Sequence, residues 1–173
     1  MKTLKKLIIV MLTTLSLQAC KKDNIENYTM DNQSFVNQAS SSNSFEVQAG
    51  ALAMLKAQNN AVKQYGEHMA TDHTAVGNEM KSLATAKGWS IPTALQPKEQ
   101  ANLDKLNNTD ASLFDSEFMK LMVASHQDAI TLFSNAASDM GVYDADLRSF
   151  AGAKLPSLEN HLEEAMNLQA QVK

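Results

Sequence analysis

The sequence predicts an all-α protein, an up-down-up-down four-helix bundle behind a short export signal. Three observations carry that expectation. The 173 residues include only 6 glycines, 3 prolines and 6% aromatics, and strand-like alternation is absent. Apolar residues recur instead at alternating steps of three and four, the spacing of one buried helical face. Turn and cap signals then divide the chain into four long periodic runs.

The first residues stand outside that pattern. "MKTLKK" is cationic, "LIIVMLTTLSL" is an apolar run too short for a stable membrane helix, and "LQAC" closes it. A small residue before a cysteine at that place marks the cleavage box of a bacterial lipoprotein precursor. Residues 1–19 therefore read as a signal peptide and Cys20 as the lipidated residue. Several acyl chains on it would anchor stably where one is marginal. It is the only cysteine, and a lone thiol in an exported chain otherwise needs a partner. Lys21, not an aspartate, follows it. That favours the outer membrane, facing the periplasm or the surface. Residues 20–32 are polar and aperiodic, and read as the lipidated cysteine with its tether.

Charge narrows the partners. There are 15 basic and 19 acidic residues, a net of −4; removing Lys2, Lys5 and Lys6 leaves 12 against 19, or −7. Such a surface suits neither nucleic acid nor anionic headgroups. Membrane attachment falls to the lipid on Cys20, and no protein partner is specified.

Residues 33–173 are one domain's worth of chain. A first helix is expected from Gln33 to Ala57, with "SSSNS" leaving its continuity open. "QNN" at 58–60 is the turn into a second helix ending at Lys87, where Gly88 is the C-cap. Pro92 and Pro97 bracket a linker, and "KEQANLDKL" holds a short helix. "NNTDAS" caps a third long helix from Leu113 to Met140, and "GVYD" makes a tight turn. Asp144 caps the fourth, which Pro156 should kink.

Each long helix places one metal-competent side chain in its seam. In the second, Val62, Tyr65, Met69, His73, Val76, Met80 and Leu83 form the stripe, with His73 at its middle. His126 lies in the stripe that includes Met119, Met122 and Phe133, and His161 in that of Leu147, Leu158 and Leu168. Lys154 is the one misfit of that last stripe. Glu46 is central on the small-residue face of the first helix. With both hairpin turns at one end, Glu46, His73 and His126 fall within roughly 5 Å in height, and His161 about another turn away.

Three imidazoles and a carboxylate suit a transition metal such as Zn²⁺, Fe²⁺, Mn²⁺ or Cu²⁺. Met119 and Met122 would add thioether ligands for Cu(I), though core packing accounts for both. A buried hydrogen-bond network fixing the fold is the other reading of the histidines. His68 is expected at the surface paired with Asp72, unless Asp72 instead orients a histidine ligand. Asp115 and Glu117 sit where acids favour the helix dipole. No hydrolytic triad or phosphate loop is present. A metal-dependent enzyme would need an open coordination position and an access channel. The sequence displays neither.

"FVNQASSSNSFEVQAGALA", "YGEHMATDHTAV", "FDSEFMKLMVASHQDAITLF" and "LPSLENHLEEA", in that order, resemble the bacterial domain-of-unknown-function family numbered four-one-four-two. The resemblance covers about Phe35 to Val172 and implies an exported, often lipid-anchored protein of the ferritin-like superfamily. The family pattern falls on Glu46, Asp72, His73, Asp115, His126 and His161. "FMKLMVASHQDAI" is also similar to part of a second ferritin-like family, numbered three-zero-five, whose Met and His residues are linked to copper handling. This chain has one histidine where that family has a pair. Diiron chemistry is not implied, because Ala70 and Leu158 stand where the Glu of a Glu-x-x-His motif would precede His73 and His161. Any bound metal is expected to be mononuclear and histidine-rich.

Overall fold

The computed structural model describes residues 27–172. The signal segment and Cys20 lie outside the described residues, as do most tether positions. The described residues form five helices: α1 Asn32–Lys56, α2 Asn60–Lys87, α3 Pro97–Asn108, α4 Ala111–Ala137 and α5 Ala145–Gln169. Among the described residues none of them is long and apolar enough to cross a membrane.

Local chemistry sets the boundaries. Asp31 caps α1 by accepting from Ser34 N at 2.9 Å, and Asn59 caps α2 by accepting from Ala61 N. Asp144 accepts from Asp146 N and Leu147 N to start α5. Gly88 ends α2 in the left-handed conformation, φ 73°, which a side chain resists. The serine run does not interrupt α1. Ser41 is buried against the segment before α3, its hydroxyl accepting from Gln96 N at 2.7 Å and donating to Glu99. Tertiary partners satisfy the hydroxyl, so it does not compete with the helix backbone. Helix α5 runs on through Pro156, and α4 stops at Ala137, short of Met140.

The chain direction differs from the up-down-up-down expectation. Helices α1 and α2 form an antiparallel pair so close that a Cβ on Gly50 would lie 2.4 Å from the Gly66 carbonyl oxygen. Helix α1 also runs antiparallel to α4: Phe35 packs on Phe133 near one end, and Lys56 lies over Phe114 near the other. Helix α2 pairs antiparallel with α5 through Glu79–Lys154 and His68–Glu164. The α1–α2 turn and the α4–α5 turn therefore lie at opposite ends, and α2 and α4 point the same way. The order is down, up, up, down. Residues 88–110, with α3, cross the length of the molecule along α1 and α4. Sequence periodicity reports which face of a helix is buried, not its direction, so spacing alone does not reveal that this connection runs the length of the molecule.

The residues before α1 are docked as well. Thr29 N donates to Met140 O, and Met30 bridges to Val142. The core splits into two apolar clusters, one around Phe45, Tyr65, Phe114 and Phe118, the other around Phe35, Met80, Phe133 and Leu147. Between them lies a polar layer.

Candidate metal centre

That layer consists of Glu46 from α1, His73 from α2, His126 from α4 and His161 from α5, each no more than 4% exposed. The expected one-turn offset of His161 does not occur. Its ring centroid lies 5.4 Å from those of both His73 and His126. All four residues sit near the middle of their helices.

Each outward-facing donor is held by a partner. His73 Nδ1 meets Asn43 Oδ1 at 3.1 Å, and the Asn43 amide nitrogen donates to His73 O at 2.8 Å, which fixes the amide's orientation. His126 Nδ1 donates to the Met122 main-chain carbonyl at 2.9 Å. His161 Nε2 donates to Asp72 Oδ2 at 3.2 Å. Ser125 donates to Glu46 Oε1 at 2.5 Å. Such contacts set the tautomer and angle of a ligating imidazole or carboxylate.

The inward atoms are different. His126 Nε2 and His161 Nδ1 are buried and have no hydrogen-bond partner. Glu46 Oε2 and His73 Nε2, also buried, face each other as an ion pair at 2.6 Å, and Glu46 Oε2 lies 3.7 Å from His126 Nε2. The three histidines offer ligand atoms within 4.8 Å of one another. Tetrahedral nitrogen donors at about 2.0–2.1 Å from an ion stand roughly 3.4 Å apart. The residues present fit a first-row metal ion with a small contraction of the layer.

Electrostatics agree with this donor set. Burial opposes ionisation of Glu46, but the His73 and His126 imidazoles, with the Ser125 hydroxyl, outweigh it and hold the carboxyl at about 2. Burial pulls the His73 imidazole down, and the Glu46 carboxylate, with Asp72 beyond it, overcomes this and raises it. Burial, then the charges of His73 and His126, push His161 down to about 4, so it is neutral at pH 7. The Glu46 carboxylate thus favours the protonated form of His73. A metal at this imidazole would compete with that proton.

The other candidates fall elsewhere. Asp72 pairs with His161 across the seam, not with adjacent His73, and also with His68 at 3.2 Å. Met119 and Met122 are fully buried in the apolar cluster, and Met122 serves the layer through its carbonyl. Asp115 is remote from the layer: its oxygens accept from Gln58 N and Asn59 N at 3.0 and 2.8 Å, clamping the α1–α2 turn. Asn43 and Ser125 were missed by the sequence reading. Both flank the seams: Asn43 one turn before Glu46, Ser125 beside His126.

The chain is thus an all-helical protein with a buried three-histidine, one-carboxylate cluster. It belongs to the family of the domain of unknown function DUF4142, whose sequence signature matches residues 18–168. No curated protein matches it in sequence. A solved DUF305 fragment from Deinococcus radiodurans is similar in fold, at TM-score 0.69 and 11% identity, over 80% of this chain and 95% of that one. CopM in its Cu(II)-bound form is similar at TM-score 0.68 and 18% identity, over 82% of this chain and 97% of that one.

Proposed function

We propose that this chain is a lipid-anchored envelope protein whose ferritin-like four-helix bundle, residues 33–173, holds one transition-metal ion through Glu46, His73, His126 and His161. The observation that carries the reading is the buried cluster of His73, His126 and His161, whose ligand atoms lie within 4.8 Å of one another with the Glu46 carboxylate beside them, one residue from each long helix. A network built only to fix the fold would leave His126 Nε2 and His161 Nδ1 without hydrogen bonds, at a cost of about 1–3 kcal/mol each. The single long crossover suits a ferritin-like bundle.

Zinc, iron and Cu(II) all accept three imidazoles and a carboxylate. The Cu(II)-bound neighbour of similar fold favours copper among them. The thioethers of Met119 and Met122 have a packing role, so a soft Cu(I) site is the poorer fit. When bound, the ion would supply Lewis acidity and, if copper or iron, one-electron redox chemistry. Asn43, Asp72, Ser125 and the Met122 carbonyl hold the ligands, and apolar clusters pack above and below them. Metal handling or stress protection at the outer membrane is the role this supports, with Cys20 carrying the lipid.

Elemental analysis of the full chain, purified without a histidine tag, tests the reading. Near one equivalent of metal, lost in a His73→Ala/His126→Ala double variant, is expected. No metal after incubation with Zn²⁺, Fe²⁺ or Cu²⁺ would instead make this a structural or interaction lipoprotein whose histidines only fix the fold.

A further inference from the structure

A second group of metal-competent side chains lies at the surface beside the polar layer. His68 and Asp72 stand one turn apart on α2, and His161 and Glu164 share a face of α5. Across the seam these pairs meet. Asp72 Oδ2 lies 3.2 Å from His68 Nε2 and 3.2 Å from His161 Nε2. His68, Asp72 and His161 each offer a ligand atom within 4.8 Å of the other two. The two rings meet edge to face with centroids 5.1 Å apart, and Glu164 Oε2 takes the other nitrogen of His68, Nδ1, at 3.2 Å.

We propose that His68, Asp72 and His161 form a second, surface-facing position for a divalent first-row metal ion, through which the buried cluster is loaded. The loading role rests on the metal reading above. The position itself uses two residues, His68 and Asp72, that the buried cluster does not.

Donor spacing supports it. Nitrogen and oxygen ligands of a tetrahedral ion stand roughly 3.3–3.4 Å apart, and Asp72 already keeps nearly that distance from both imidazoles. Glu164 holds His68 Nδ1, the arrangement that orients a ligating imidazole and leaves its Nε2 bare. A proton can fill the gap between that nitrogen and Asp72. Only a metal ion gathers both imidazoles and the carboxylate about one point.

Exposure and charge suit an entry position. The His68 and Asp72 side chains are 46% and 37% exposed, so an ion can arrive from solvent and keep water as its remaining ligand. Asp72 and Glu164 balance its two positive charges.

His161 ties this position to the buried cluster. Its Nε2 faces Asp72, while its Nδ1 is buried. A neutral imidazole has one bare nitrogen, so the ring serves the outer ion or the inner one. On transfer inward, Nδ1 gives up its proton to solvent and Nε2 regains one, restoring the hydrogen bond to Asp72. Asp72 and His161 border the same cavity of about 270 Å³ as Glu46 and His73, so outer and inner donors share one space. With three ligands at the surface, the outer ion exchanges on dialysis and the buried one stays.

The test uses the metal-free full chain with Zn²⁺ and Co²⁺ as probes. Glu46→Gln/His126→Ala lacks two inner donors and none of the outer ones. By equilibrium dialysis it should still bind one exchangeable Zn²⁺, and adding His68→Gln should weaken that binding at least about tenfold. In the otherwise parent chain, His68→Gln should hold the same single Co²⁺ at equilibrium. At sub-saturating Co²⁺ it should load about tenfold more slowly by stopped-flow visible absorption, because the rate follows occupancy of the outer position. Zn²⁺ binding that survives His68→Gln, or Co²⁺ loading that does not slow, would overturn the inference; a plain ion pair of His68 with its two carboxylates gives those results. One equivalent of Co²⁺ in the parent chain would then leave the metal reading standing. A parent chain that binds no Co²⁺ would overturn both.

Discussion

Asp72 on α2 reaches across the seam to His161 on α5, its Oδ2 3.2 Å from Nε2, and leaves adjacent His73 to Asn43. The carboxylate is 37% exposed while the imidazole is buried, so Asp72 can orient the ring without itself belonging to the core. Removing such an outer partner typically weakens metal affinity 10- to 100-fold. Asp72→Ala should lose about that much in a chelator-competition titration. Its thermal midpoint without metal should stay near that of the parent.

A metal held as proposed should also stabilise the fold, because Glu46, His73, His126 and His161 come from four helices. At a free-ion concentration one hundred times Kd, binding to the folded state adds about 2.7 kcal/mol. For a domain of this size that is roughly 5–10 °C in Tm. Treatment with a chelator should reverse the gain, as read by circular dichroism melts. A Glu46→Gln/His126→Ala variant should show little of it.

Stability without metal should depend on acidity in a window set by His161. Its folded pKa is about 4 against 6.5 for an ordinary histidine. As pH falls, the unfolded chain takes up this proton first, so the folded state loses ground from pH 6.5 down to about 4. His73 is shifted upward, so its contribution is complete below 6.5 and constant across that window. Glu46 acts lower, between 4.5 and about 2. Urea midpoints of the chelated protein should therefore decline between pH 6.5 and 4.5, and His161→Gln should flatten that decline.

Asp115 separates structural from ligating roles within the family pattern. Asp115→Ala removes the acceptors of two backbone N–H groups in the α1–α2 turn. A loss of about 1–2 kcal/mol is expected in urea unfolding, with metal stoichiometry unchanged. Loss of bound metal in a folded variant would contradict the clamp.

Much of the site was legible because burial leaves a period. His73, His126 and His161 each interrupt a stripe of apolar residues, and Glu46 interrupts one of small residues, so their common interior placement could be read from spacing alone. Asn43 and Ser125 carry no such mark, since each lies beside a stripe and acts through a neighbour in space. Asp115 was legible as a helix-start acid, but its partners are 56 and 57 residues away, beyond any local rule. The helix starts at Asp144 and stops at Gly88 followed from side-chain chemistry that works within one turn. Helix direction did not, and α3 is the reason. A crossover that carries its own helix looks in sequence like an ordinary linker.

The crossover also sets when the cluster can be assembled. Glu46 and His73 arrive together in the first hairpin, and His126 follows only after the chain has travelled back along α1 and α4. His161 is the last donor, on a helix that ends at Gln169. The donor set that we propose for a metal is therefore incomplete until α5 has packed onto the other three long helices.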